Sequence, residues 1–294
     1  MINIYAPRIV FVNASCSGQV VDYEAIGIAC HAAGVYVVAD ITENSGLVAA
    51  GINTSPFEHV DLVVCGTQGS LRGPSGGVIF FRKNAVGPLG STTQHKEGHE
   101  VCVLGNAIDM SVFPMHQGGP HNHSIMAVAV ALGQVATQTF KTYQRLVLAN
   151  ADALRNRLIS LGYRLRDSNQ RSQHLVVELE MLDVRVLQVV LRNIHIACNV
   201  AVAENELHVG TQAMTSRGLL PDDFSQIAEF LHQAISIARK ITSIRAPEAD
   251  LSAKDVSSPL LSNIKNSGSW NVYEADILAL GREVENWTNQ FMVL

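Results

Sequence analysis

Short runs of apolar, largely β-branched residues, spaced along the first third of the chain and interrupted by one clear helical pattern, constrain the fold more than any other sequence feature. Arg8-Ile-Val-Phe-Val-Asn13 suits a strand buried on both faces. Asp22 can cap a helix whose apolar residues recur at helical spacing from Tyr23 to Ala33, and Gly34 supplies its stop. Val35 to Asp40, Asp61 to Cys65 and Gly77 to Phe81 predict three more buried strands. Strand, helix, strand is the pattern of an α/β layer with a mainly parallel sheet.

A long helical pattern without proline occupies Ser124 to about Leu161, and its middle is the natural joint between two domains. Beyond Gly162 the texture becomes an α+β alternation: strand His174 to Leu179, helix Val184 to Arg192, strand Glu206 to Val209, helix Asp222 to Ile241. Residues 243–271 are rich in Ser, Asn, Pro and charge and read as a surface loop or partly disordered insertion. Val272 to Phe291 reads as a last helix, and no internal repeat is present. The expected organisation is a large domain over 1–140 and a smaller α+β domain over 141–294. The length of 294 residues fits about two domains.

Composition narrows the partners. Lys and Arg number 21 against 26 Asp and Glu, a formal charge of −5, with no basic run. That balance disfavours electrostatic binding to nucleic acid or to an anionic membrane. No stretch approaches the roughly 18 apolar residues of a membrane span, and the N-terminus lacks a signal-like pattern, so a cytoplasmic protein is expected. Five widely spaced cysteines without a CxxC pair suggest reduced, mostly buried thiols.

Asp40 ends a buried strand, where open α/β sheets bind ligands beyond the carboxyl ends of their strands; the alternative is a cap or turn residue. Leu71 to Gly77 and Gln117 to His123 are Gly/Pro-rich loops whose backbone N–H groups could cradle a phosphate or simply turn the chain. His121 and His123 have no nearby Cys or carboxylate to complete a metal site, and no metal is expected.

Three segments carry a family resemblance when taken together: Tyr36-Val-Val-Ala-Asp40-Ile-Thr-Glu43-Asn-Ser-Gly46-Leu-Val-Ala-Ala-Gly51, Gly66-Thr67-Gln68-Gly69-Ser70-Leu71-Arg72-Gly73-Pro74, and Val112-Phe113-Pro114-Met115-His116-Gln117-Gly118-Gly119-Pro120-His121-Asn122-His123. Their order and spacing resemble the serine hydroxymethyltransferases. The likeness continues through Gln173-His174, Val209-Gly210-Thr211, Thr215-Ser-Arg217-Gly218 and the closing Glu283 to Phe291, so it covers nearly the whole chain. It implies a pyridoxal phosphate enzyme of the aspartate aminotransferase-like fold, moving the hydroxymethyl carbon of serine onto tetrahydrofolate in one-carbon metabolism. In that family a lysine holds the cofactor as a Schiff base and an aspartate pairs with its ring nitrogen.

Carried over by resemblance, Ser15, Asp40, Glu43, Thr67, Gln68, Gly118 and Gly119 fall on cofactor-site positions, and His208 on that of the arginine gripping the substrate carboxylate. The aspartate is kept as Asp40, but the Schiff-base lysine falls on Gly69, which has no amine. A histidine of the family falls on Glu43, its Asn-Lys-Asn string on Ala197-Cys198-Asn199, and a proline on Gln212. One imidazole at His208 does not reproduce a bidentate guanidinium clamp. The family's long opening segment, with its phosphate loop and ring-stacking histidine, has no counterpart here. The expectation is a shortened, catalytically inactive relative without covalently bound cofactor, self-associating or paired with a full-length homologue through Gln117 to His123. A working pyridoxal phosphate enzyme of altered chemistry, and a decaying gene product, remain the alternatives.

Overall fold

The computed structural model describes residues 1–13, 21–83, 86–87, 90–91, 93–96, 99–166, 172–180, 182–244, 264 and 268–291, with the side chains of 86–102 left aside. The chain forms two compact units that divide between Arg145 and Leu146.

The first unit begins with α1 (Ile2–Tyr5), β1 (Ile9–Asn13), α2 (Tyr23–Ala32), β2 (Tyr36–Asp40), α3 (Ser45–Ala49) and β3 (Leu62–Gly66). A 3₁₀ turn at Gly69–Leu71 leads to β4 (Gly77–Phe81), followed by two short hairpins, β5 (Val86–Gly87) with β6 (Gly90–Ser91) and β7 (Thr93–Lys96) with β8 (His99–Cys102). Then come α4 (Val103–Met110), a π-helical turn at Ser111–His116, α5 (Asn122–Val135) and α6 (Gln138–Ser160), inside which the unit ends. The main sheet has the order β1-β2-β3-β4; the first two pairings are parallel and β4 returns antiparallel to β3.

Helix α2 starts where expected, with the Asp22 carboxylate accepting from Ala25 N at 2.9 Å. Two strand expectations need correction. The run 8–13 is not buried on both faces: β1 is an edge strand whose Ile9 and Phe11 are 49% and 72% exposed. The run 77–81 is not a buried strand either, since β4 lies at the opposite edge with Ile79 and Phe80 exposed. Only β2 and β3, flanked on both sides, have the burial that continuous apolar runs predict.

Register assigns the sheet faces. Val10, Val12, Val37, Ala39, Val63 and Cys65 share one face and join the unit's core with Tyr23, Cys30 and Phe140. On the other face Tyr36 and Leu104 form a small cluster with Leu62, Phe81 and Ile108. The expected single helical pattern over 124–161 is two helices, because Ala136 and Thr137 break it and Thr137 Oγ1 caps the second by accepting from Phe140 N at 3.3 Å.

The second unit contains the rest of α6, then β9 (Arg164–Arg166), β10 (His174–Glu178), α7 (Val184–Asn193), β11 (Asn199–Ala201), β12 (Glu206–Gly210), α8 (Gln212–Ser216), α9 (Pro221–Ile244) and α10 (Gly268–Thr288). Its antiparallel sheet has the order β11-β12-β10-β9. Alternation places Leu175, Val177, Leu207 and Val209 in a core with Leu187, Val190, Leu231, Ile235 and Trp270. The helix read as starting at Val272 starts at Gly268, and α9 runs on to Ile244. Most of the stretch 243–271 lies outside the described residues, although Ile264 is buried. In this chain the two units are of comparable length.

Candidate functional site

The carboxyl ends of β2 and β3 bring together the first unit's candidate residues. Asp40 ends β2 half-buried, and its Oδ1 accepts from Thr42 N at 2.9 Å and from Thr42 Oγ1 at 2.7 Å. The same hydroxyl accepts from Gly66 N at 3.1 Å, tying the end of β3 to the turn after β2. Asp40 is therefore both at a strand end and in an Asx turn, so the two sequence readings of it coexist. Burial first, and the Asp40 charge second, raise the Cys65 thiol and the Tyr23 phenol above their ordinary values.

Thr67, Gln68 and Gly69 follow β3 directly. The Thr67 hydroxyl donates to Pro74 O at 2.6 Å, Thr67 N pairs with Gly76 O, and Gly73 N pairs with Thr67 O. Gln68 Oε1 accepts from Gly76 N at 3.2 Å. Both side chains are committed to closing the loop 67–76.

Gly69 has φ +66°, and a Cβ built there would meet nothing within 4 Å, so a side chain would have room but a strained backbone. Beside it, the Ser70 hydroxyl pairs with Ser45 Oγ at 2.9 Å and accepts from Gly46 N at 3.0 Å. Gln144, fully buried, donates to Ser70 O at 3.0 Å. Arg72 stacks its guanidinium over the Tyr143 ring at 4.8 Å. Sequence reasoning missed Thr42, Ser45, Ser70 and Gln144; only the Asp-x-Thr spacing of the Asx turn offered a local signal.

Gly118 and Gly119 are exposed and line a cavity of about 700 Å³ with Thr67, Ser75, Gly76 and His121. The structure thus joins the two glycine-rich loops along one cavity. His121 and His123 stack with ring centroids 5.7 Å apart. Glu43 sits half-buried in the turn after Asp40, and Ser15 lies outside the described residues. Among the described residues no group of three or more His, Cys, Asp or Glu could hold a metal ion, and no helix is long and apolar enough to cross a membrane.

His208 belongs to the second unit. It stands on β12, on the sheet face opposite the core, with Nε2 3.2 Å from Glu206 Oε2. Buried Glu206 also pairs with Arg166, so the imidazole contacts a carboxylate that already has a guanidinium partner. His208, His174, Cys198 and Asn199 line a cavity of about 560 Å³. Desolvation pushes the Cys198 thiol up to about 11, so it is no nucleophile near neutral pH.

The fit to pyridoxal phosphate is partial. Asp40 offers a carboxylate at a strand end, and the glycine loops offer exposed backbone. Gly69 offers no amine, the Thr67 hydroxyl is engaged within its own loop, and the Ser70 hydroxyl is engaged by Ser45 and Gly46 of α3. The residues present do not fit a Schiff-base-bound cofactor.

Comparison with known proteins gives the lineage. The family model for serine hydroxymethyltransferase matches residues 2–231. The cytosolic serine hydroxymethyltransferase of Aspergillus fumigatus is 38% identical over 98% of this chain and 60% of its own length. The mitochondrial serine hydroxymethyltransferase of Kluyveromyces lactis is 38% identical over 99% of this chain and 58% of its own length. The cytosolic one of Candida glabrata is 37% identical over 98% and 60%, respectively. The chain thus spans about 60% of the length of these relatives. Identity at this level along almost the whole chain, together with a family model that matches residues 2–231, means that the chain belongs to the serine hydroxymethyltransferase family.

Proposed function

We propose that this chain does not itself catalyse the exchange of serine and glycine and instead serves as an assembly or regulatory partner of a full-length relative. The observation that carries the reading is Gly69: the position that resembles the Schiff-base lysine is a glycine at φ +66°. The histidine at the clamp position adds to it, because His208 is already engaged with Glu206 and offers one ring where a carboxylate clamp uses a two-pronged guanidinium. Nucleophile, electron sink and substrate grip act together in covalent catalysis, so loss of two of the three removes the function rather than dimming it. A cytoplasmic location fits this reading, although the relatives include proteins named as cytosolic and as mitochondrial.

The test is spectroscopic and chemical. The purified chain with excess pyridoxal phosphate is expected to show no visible Schiff-base band, no borohydride-fixed adduct at a defined residue, and no conversion of serine to glycine with tetrahydrofolate. A specific reduced adduct would establish the second reading, a pyridoxal phosphate-dependent hydroxymethyltransferase of altered chemistry, which the relatives' names favour.

A further inference from the structure

The groove where α9 and α10 pack together carries an inference about the second unit that does not depend on the reading above. The two helices run antiparallel: the Lys240 ammonium lies 6.0 Å from the centre of the Tyr273 ring near one end, and the Phe230 and Trp287 rings meet at 5.4 Å toward the other. Between them is a cleft of about 400 Å³. Ser236 on α9 and Ala279 on α10 send no long side chain across the seam, and Ile237 and Leu280, 8% and 4% exposed, give it an apolar floor.

The two walls differ in charge. His232 and Lys240 line the cleft from α9, while Asp276 and Glu283 line it from α10, two turns apart on one helical face. The Tyr163 hydroxyl lies 2.9 Å from His232 Nδ1, so Nε2 is the ring nitrogen left to the cleft. Other acids on the same helices have partners, Glu229 in Arg157 and Glu285 in His195. Among the described residues Lys240, Asp276 and Glu283 enter no ion pair. A basic wall thus faces an acidic one without closing on it. Such a cleft selects for a dipolar ligand: a lone cation or anion gains from one wall what it loses to the other, whereas an ammonium and a carboxylate on adjacent atoms gain from both.

We propose that this cleft binds a free α-amino acid, with its ammonium on Asp276, its carboxylate on Lys240 and a polar side chain running past Ser236 toward His232 and Glu283. An α-amino acid is the compact form of that charge pair, and the cleft has room for it. The lining includes none of Asp40, Gly69, Gly118, Gly119 and His208, so this is a separate site from the one weighed above against pyridoxal phosphate.

The experiment titrates the 294-residue chain calorimetrically with L-glutamine, glycine, butyrate and butylammonium. L-Glutamine is expected to bind saturably at millimolar concentration, glycine more weakly, and the two single-charge compounds about fivefold or more below L-glutamine. Lys240→Ala and Asp276→Asn, changes at exposed sites that leave the chain folded by circular dichroism, each weaken L-glutamine binding about fivefold. Backbone amide resonances shifted by L-glutamine are expected to cluster at Ser236, Lys240, Asp276 and Ala279. Absence of saturable heat with either amino acid, equal binding of butyrate or butylammonium, unchanged binding by both variants, or shifts centred on Asp40 or His208 instead would each overturn the proposal. Binding is read without absorbance or turnover, so a Schiff-base adduct would refute the inactive reading and leave this one standing.

Discussion

Gly69 separates two questions that a sequence comparison merges: whether an amine is present and whether the backbone would hold one. At φ +66° a lysine adopts the left-handed region at a cost of about 1–2 kcal/mol, although its Cβ meets no neighbour within 4 Å. Gly69→Lys is therefore expected to fold with slightly lowered denaturant midpoint and to show no serine turnover, since His208 is unchanged; robust turnover in a coupled assay would contradict the inactive reading. Asp61 is a different case, a carboxylate 2% exposed that accepts from Val37 N at 2.8 Å and lies 3.0 Å from His31 Nε2. Replacing it with alanine leaves a buried N–H unpaired at the start of β2, and urea unfolding should show a loss of about 2–3 kcal/mol. For Cys198 the direction of the shift sets a pH window. Its folded value of about 11 lies above its ordinary value near 9, so any stability it confers is complete below pH 9 and lost as pH rises toward 11. Maleimide labelling at pH 7.5 should accordingly leave Cys198 unmodified in the folded chain and modify it in urea.

Among the elements, the turn between α5 and α6 offers the cleanest test. Thr137 Oγ1 accepts from Phe140 N, and Phe140 is buried in the core of the first unit. Thr137→Ala should cost about 1 kcal/mol, measured by chemical denaturation, and Thr137→Ser should restore most of it. Neither the break at Ala136 nor the cap is legible in a pattern of alanine, valine and leucine that continues through both helices. By contrast α2, α7, β2 and β10 were readable, because capping aspartates or dense β-branched runs mark them and their local preference agrees with their burial. The strands β1 and β4 have equally apolar sequences and yet lie at sheet edges, since composition encodes that a strand wants cover and says nothing of what provides it. At the candidate site, Asp40, Gly69 and the glycine loops were legible through family resemblance. The ties from Thr42 to Gly66 and from Gln144 to Ser70 were not, because they join residues distant in sequence.

For the whole molecule, each unit has its own core, so the two should report separately on a perturbation. Loss of the Asp61 contacts is expected to lower exchange protection in β2 and β3 while leaving α7 and α9 unaffected, which native-state amide exchange can resolve. The exposed Phe11 edge also bears on the life of the chain in a cell. Folding machinery and proteases act on open strand edges flanked by aromatic and branched side chains, the same features that nucleate aggregation. A chain that displays one is expected to lose monodispersity as its concentration rises, which light scattering across a dilution series reads.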